Sequence, residues 1–256
     1  MKVSIITVVY NGADHIRDCI ESIVNQTHPD IEYIIVDGKS TDGTVEIVQS
    51  YGTKVARFVS EPDKGLYDAM NKGIRMATGE VIGLLNADDF YRHNRVIENM
   101  VATFERTGSD GVYGDMLYVD RDDTRKLKRY WRSGWYTDNA FKWGWMPGHL
   151  SFFAKRWMYE QYGLFRTDMK SAADYELLLR FIHKNKAKLA YMDEVTIVMR
   201  DGGVSNSSLF NRLRANRDDQ LAWKHNDLKP YFFTIWLKPL RKLKQYVSKP
   251  PGWSDK

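Results

Sequence analysis

The stretch Gly79-Glu80-Val81-Ile82-Gly83-Leu84-Leu85-Asn86-Ala87-Asp88-Asp89 is mostly apolar from Val81 to Leu85 and then ends on an amide and two carboxylates. So short an apolar run, closed by polar residues, reads as a buried strand, and a strand that stops on acids delivers them to the edge of a sheet. In open α/β sheets ligands bind at that edge. Two adjacent aspartates repel unless something positive compensates them, and a hard divalent cation held by oxygen ligands is the usual compensator. A helix starting near Asn94 accounts for the same residues without a ligand, because Asn and Asp also serve as helix caps.

The flanking sequence bears on this choice. Strand signals over residues 3–9, 31–36 and 55–59 alternate with helix signals over 13–25, from a Ser40-Thr41-Asp42 cap to about Ser50, and over 66–77, with residues 81–85 as the fourth strand. Repeated βα units predict an α/β fold with a mainly parallel central sheet flanked by helices, because parallel strands need right-handed crossovers. Tyr10-Asn11 follow the first strand, Asp37 the second, Asp63-Lys64 the third and Asn86 to Asp89 the fourth. All four are C-terminal strand ends, which share one edge of a parallel sheet. A cap explains any one of them; it explains four together poorly.

Beyond Asn94 the pattern loosens to a helix ending near Arg106, a β-like segment over 112–119 and a charged turn over 120–124. Residues 130–149 hold Trp131, Trp135, Tyr136, Trp143, Trp145 and Pro147, which predicts a long ordered loop. Its aromatic faces suit sugar rings, although some of these tryptophans equally suit a core.

Composition is that of a soluble globular enzyme, and 256 residues can bury a substantial core. The net charge of +5 is local: residues 224–249 carry seven Lys or Arg against one acid, Asp227. Cys19 is the single cysteine, which excludes an intrachain disulfide and fits a reducing compartment. No secretion signal is visible, and no stretch approaches the ~20 apolar residues of a membrane span. A cytoplasmic protein is expected.

A dinucleotide fold would carry G-x-G-x-x-G after the first strand, but the turn reads Tyr10-Asn11-Gly12-Ala13-Asp14. A P-loop is absent too. What remains is a crevice with Asp37, Asp68, Asp88 and Asp89 beside Lys64 and Lys72. Carboxylates with a divalent cation suit a nucleoside diphosphate, since the metal bridges groups that otherwise repel.

Thr7-Val8-Val9-Tyr10-Asn11-Gly12, the run from Val36 through Asp37-Gly38-Lys39-Ser40-Thr41-Asp42-Gly43 to Thr44, and Asn86-Ala87-Asp88-Asp89 resemble the family-two glycosyltransferases of the GT-A fold. The resemblance implies a nucleotide-sugar donor, UDP-linked in the expected case, and Mg²⁺ or Mn²⁺ on its diphosphate. It places Thr7, Val9, Tyr10 and Asn11 around the nucleobase, Asp37 as its hydrogen-bond acceptor, and Lys64, Asp68, Asn86 and Asp88 along the donor. Asp88 and Asp89 are the implied metal ligands. Where the family often reads Ala-Arg-Asn this chain has Ala69-Met70-Asn71, and Asn86 stands where the acidic motif often begins with Asp.

Transfer to an acceptor hydroxyl needs a base. The segment Ser171-Ala172-Ala173-Asp174-Tyr175-Glu176 resembles the family's base-bearing helix start, which implies Asp174 as the base with Glu176 as competitor. His149 lies where family members often carry a His near the acceptor, and orienting the acceptor, contacting phosphate and an ordinary loop position are its three readings; Trp145 and Glu176 are the other acceptor candidates. Gly202-Gly203-Val204-Ser205 has the composition of a closing loop or of a plain turn.

From Phe233 onward, Trp236, Leu237, Leu240, Leu243 and Val247 recur at helical spacing between Lys238, Arg241, Lys242 and Lys244. That is the pattern of an interfacial helix on an anionic membrane surface; packing against the catalytic domain is the alternative. No nucleic-acid-binding module is recognisable. The expected organisation is a GT-A catalytic domain over 1–225, with a donor half 1–110 and an acceptor half 111–225, followed by a basic amphipathic tail over 226–256. The expected role is inverting transfer onto a glycan or lipid-linked glycan in surface-polysaccharide synthesis, peripheral to the inner membrane face. A catalytically degenerate assembly subunit and a sugar-phosphate nucleotidyltransferase are the alternatives.

Overall fold

Strand β1 (Val3–Val9) is buried along its whole length because parallel strands flank it on both sides, β2 (Ile31–Asp37) and β4 (Val81–Asn86). β3 (Arg57–Ser60) extends the sheet beyond β2. The helices α1 (Ile16–Val24), α2 (Thr44–Gln49) and α3 (Leu66–Met76) supply the crossovers. The register pairs Val9 with Asp37, Asp37 with Ser60 and Val8 with Asn86, so the polar strand ends do share one edge. The computed structural model describes residues 1–169, 171–202, 209–251 and 253, with 209–216 described by backbone alone.

The second half continues the same sheet. β8 (Phe152–Lys155) lies antiparallel between β4 and β6 (Gly111–Val119), and β9 (Leu189–Arg200) pairs parallel with β6. β5 (Phe90–Tyr91) closes the far edge against β9, and β7 (Leu127–Trp131) forms a hairpin on β6. The longest ladders are parallel, as expected. Gly83 in β4 sits where any side chain would collide with the Phe153 ring, since a Cβ there would meet ring carbon Cε1 at 2.5 Å.

Helix α4 (Val96–Thr107) and α5 (Arg156–Tyr162) cover the sheet. α6 (Ala173–Leu178) runs on into a π-helical turn over Leu179–Lys184. α7 (Leu209–His225) and α8 (Thr234–Val247) complete the chain, and no described helix is long and apolar enough to cross a membrane.

Several boundaries differ from expectation for local reasons. The first helix starts at Ile16 rather than residue 13, because Asn11 adopts a left-handed φ of 50° and the next residues form a turn. A 3₁₀ turn at Gly52–Lys54 delays the third strand to Arg57. The aromatic stretch is only partly loop: Tyr130 and Trp131 belong to β7, and 3₁₀ turns occupy Ala140–Trp143 and His149–Ser151.

Candidate functional site

A crevice of about 2300 Å³ opens along the shared strand edge and extends under α8. Small-ligand pockets usually span roughly 300–1,000 Å³, so this one has room for two substrates. On one wall Tyr10 is 67% exposed and offers its ring for stacking, and Val9, Asn11 and Lys64 line the same wall. Asn11 holds the adjacent loop: its Oδ1 accepts the Thr41 N–H at 3.0 Å, and its own N–H donates to Ser40 Oγ at 2.7 Å. Asp68 caps the approach to α3 by accepting the Lys64 N–H at 3.0 Å.

Two implied donor contacts lie below the crevice surface. Thr7 is fully buried and accepts the Tyr33 hydroxyl at 3.1 Å. Asp37 is fully buried as well; it accepts from the N–H and hydroxyl of Ser40 and from the Ser60 hydroxyl at 2.6 Å. In this structure Asp37 organises the loop after β2 and does not face the crevice.

The acidic turn divides its two aspartates. Asp88 faces the crevice, with Arg121 3.9 Å away. Asp89 is 1% exposed and accepts from Asn86 Nδ2 and from the Arg200 backbone N–H, both at 3.1 Å. Burial, then the neighbouring Asp88 charge, pushes its carboxyl well above the usual range. Asp89 also borders the crevice, but these bonds make it a brace of the turn and leave Asp88 the more exposed of the two expected metal ligands. Arg200 completes the brace by donating to the Asp88 carbonyl at 2.7 Å and to the Asp18 carboxylate.

The residues fit a divalent cation through Asp88 alone. Mg²⁺ keeps several waters and commonly binds through one or two carboxylates plus substrate phosphates, so one carboxylate on the crevice wall is enough. Among the described residues no group of three His, Cys, Asp or Glu side chains converges as a protein-only cage.

Asp174 lines the same crevice. Its Oδ2 lies 3.3 Å from His149 Nδ1, and its Oδ1 accepts the Tyr67 hydroxyl at 3.4 Å. Burial opposes its ionisation, but His149, then Lys238 and the Tyr175 N–H, outweigh burial and hold the carboxyl below its ordinary value. It is thus an ionised acceptor on the crevice wall. Burial, then the Asp174 charge, pushes the Tyr67 phenol up, which keeps it a hydrogen-bond donor.

Glu176 is corrected: it is 2% exposed, pairs with Arg180 at 2.9 Å and accepts from Asn226 Nδ2 at 3.0 Å, away from the crevice. Trp145 reaches the wall but is mostly core, its indole N–H donating to the Ser133 carbonyl at 2.7 Å. Met70, at the position of the family's arginine, is 1% exposed within the core. Asn71 clamps the Phe165 backbone through two hydrogen bonds. Lys72 pairs with Glu61 at 2.8 Å, outside the crevice. The possible closing loop lies outside the described residues from Gly203 onward.

Sequence reasoning missed Tyr67, Arg121, Arg129, Arg200, Lys238 and Lys242, all of which line the crevice. The tail packs against the catalytic domain, the alternative reading of its periodicity. α8 roofs the crevice: Lys238 pairs with Asp219 at 2.6 Å and sits 3.8 Å above the Tyr175 ring, while Gln245 accepts from Arg129 Nε at 2.5 Å.

The profile of Glycosyl transferase family 2 matches residues 4–161. A PGL/p-HBAD biosynthesis glycosyltransferase of Mycobacterium tuberculosis is 30% identical over 210 residues, covering 80% of this chain and 79% of its own. Glycosyltransferase AglE of Haloferax volcanii is 32% identical over 133 residues, covering 50% of this chain and 43% of its own. Among solved structures, S. aureus TarS 1-349 in complex with UDP-GlcNAc superposes with a TM-score of 0.67 at 18% identity, over 90% of this chain and 68% of that one. The mannosyltransferase PcManGT from Pyrobaculum calidifontis, in complex with GDP-Man and Mn²⁺, gives 0.63 at 20% identity over 93% and 72%. Against a longer TarS chain this protein spans 41% of the length.

Proposed function

The chain belongs to glycosyl transferase family 2, and from that premise we propose that it transfers a sugar from a nucleoside diphosphate donor, UDP-linked, to an acceptor hydroxyl with inversion. The observation that carries the reading is Asp174, an ionised carboxylate lining the crevice and held by His149 and Tyr67. It accepts the proton of the acceptor hydroxyl as that oxygen bonds to the anomeric carbon. The bond to the diphosphate breaks on the opposite face, so one displacement inverts the centre. Tyr67 and His149 hold the carboxylate in place, as a base requires. Tyr10 stacks on the nucleobase, and Asn11 keeps the loop after β2 against it. Asp88 would hold Mg²⁺ or Mn²⁺, which when bound neutralises charge on the leaving diphosphate.

TarS in complex with UDP-GlcNAc and PcManGT with GDP-Man and Mn²⁺ support the donor class and the metal. The acceptor is a glycan or lipid-linked glycan of surface-polysaccharide synthesis. The outward face of α8 supports a peripheral membrane position: Trp236, Leu240, Leu243 and Val247 are 56–85% exposed, with Arg241 and Lys244 exposed beside them. The degenerate-subunit reading loses support at Met70, since a core position takes no charge from the crevice.

Donor hydrolysis tests the base without a known acceptor, because water can take the acceptor's place. Asp174→Asn should lower UDP release from the donor sugar by about 10²–10⁴-fold while UDP affinity stays within about twofold. Loss of UDP binding along with activity overturns the assignment.

A further inference from the structure

Helix α8 is amphipathic in the reverse of the usual sense. Surface helices turn their apolar stripe toward the protein, whereas here Trp236, Leu243 and Val247 face outward at 66%, 63% and 85% exposure, with Leu240, 56% exposed, at the crevice rim. The inward face carries Lys238, Lys242 and Gln245 at i, i+4 and i+7, all lining the crevice. Below them Arg129 of β7 is 6% exposed and held over the rings of Tyr118 and Trp131, 4.4 and 5.0 Å from the guanidinium carbon. Its Nε is used by Gln245, but its Nη2 is buried with no hydrogen-bond partner among the described residues.

An unsatisfied guanidinium N–H costs free energy unless a ligand meets it, and Arg is the side chain best shaped for phosphate oxygens. Lys238 already has Asp219, at 2.6 Å. Lys242 has no such partner among the described residues: burial, then the charges of Lys238 and Arg129, brings its pKa down to about 8, while Asp219 and Asp174 act in the opposite direction. Among the described residues two cations thus lack a bonded anion, at a point where Asp174 is within electrostatic reach.

We propose that Arg129 and Lys242, with Lys238 beside them, form an anion site for a phosphate or diphosphate carried by the acceptor, which seats its hydroxyl at Asp174. This rests on the assignment of Asp174 as base. The site is built by the tail and is separate from Asp88, which serves the donor's diphosphate. An acceptor held there lies directly beneath the outward apolar stripe of α8. A phosphate joined to a lipid anchor would therefore reach the site from the surface on which the helix rests.

The test is titration calorimetry on the full chain saturated with UDP and Mg²⁺, so that the donor site is filled, using inorganic pyrophosphate and geranyl diphosphate as probes. Both should bind. Arg129→Gln and Lys242→Gln should each weaken binding by at least about tenfold with UDP affinity unchanged, and Lys54→Gln, outside the crevice, should change neither. Unfolding midpoints identify a variant that has lost its fold, and Lys242, at the crevice surface, keeps the test decisive if the Arg129 variant does. Tighter binding of geranyl diphosphate than of pyrophosphate assigns the site to a lipid-linked acceptor; equal affinities assign it to a water-borne phosphorylated one. No pyrophosphate binding by the UDP-saturated protein, or loss of UDP affinity in parallel, overturns the proposal. If UDP itself fails to bind, the donor reading fails, and titration of the protein alone with the same variants still decides the anion site.

Discussion

Replacing Glu32 with Gln should remove a large, pH-dependent part of the stability without touching the crevice. Glu32 lies in β2 at 5% exposure and ties three segments together. It accepts the Ser4 hydroxyl of β1 at 2.6 Å, and the Thr78 N–H and hydroxyl ahead of β4 at 2.7 and 2.8 Å, with Lys2 at 3.4 Å. Burial opposes its ionisation, but the Ser4 and Thr78 hydrogen bonds and the Lys2 charge outweigh burial and bring the pKa from 4.5 to about 2. At ~1.36 kcal/mol per pKa unit, that lowering is worth about 3 kcal/mol. Because the folded pKa is the lower one, this stability is fully present above pH 4.5 and is lost as pH falls toward 2. Urea unfolding followed by circular dichroism should show Glu32→Gln less stable than the parent by about 3 kcal/mol near pH 6, and by under about 1 kcal/mol at about pH 2.5. Comparing the two proteins cancels every other titrating group. A gap that does not change with pH refutes the ionised clamp. Ser4 lies six residues before Tyr10 along β1, about 20 Å from the binding edge, so UDP affinity at pH 7 should be equal in the two proteins.

Two further outcomes follow from the site and the tail. Asp88→Asn should abolish the Mn²⁺-dependent part of UDP binding in calorimetry, whereas Asp89→Ala should lower thermal stability by about 1–3 kcal/mol through the orphaned Asn86 and Arg200 donors; a selective metal defect in the Asp89 variant refutes the division of the pair. Changing Trp236, Leu240 and Leu243 together to Ser should release the protein from anionic vesicles in sedimentation while UDP affinity is kept, and unchanged sedimentation refutes the membrane face.

The sheet edge was legible because its signals are local and periodic: four short apolar runs, each closed by polar residues, place Tyr10, Asn11, Lys64 and Asp88 on one wall without any long-range information. Direction within a turn was not legible. Asp88 and Asp89 are adjacent and chemically identical, and only the arrival of Arg200 from a distant strand decides which one turns inward. That Thr7 and Asp37 sit beneath the crevice surface was not legible for a related reason: the hydroxyls of Tyr33, Ser40 and Ser60 engage them. Glu176 did carry a readable warning, since Arg180 follows at ion-pair spacing on a helix. The periodicity of the tail was readable, but the pattern does not say which face meets the protein. Polar pairing of Lys238 with Asp219 and of Gln245 with Arg129 turned it opposite to the usual rule.

The brace at Arg200 also bears on how the molecule is made. Residues 1–110 emerge from the ribosome first and contain every strand of the donor wall, yet the group that fixes Asp89, grips the Asp88 carbonyl and ties both to Asp18 arrives ninety residues later. A nascent chain that has not reached residue 200 holds the acidic turn without its keystone. The acidic turn therefore gains its brace only once residue 200 has been added, and residues 1–110 by themselves lack the group that fixes it.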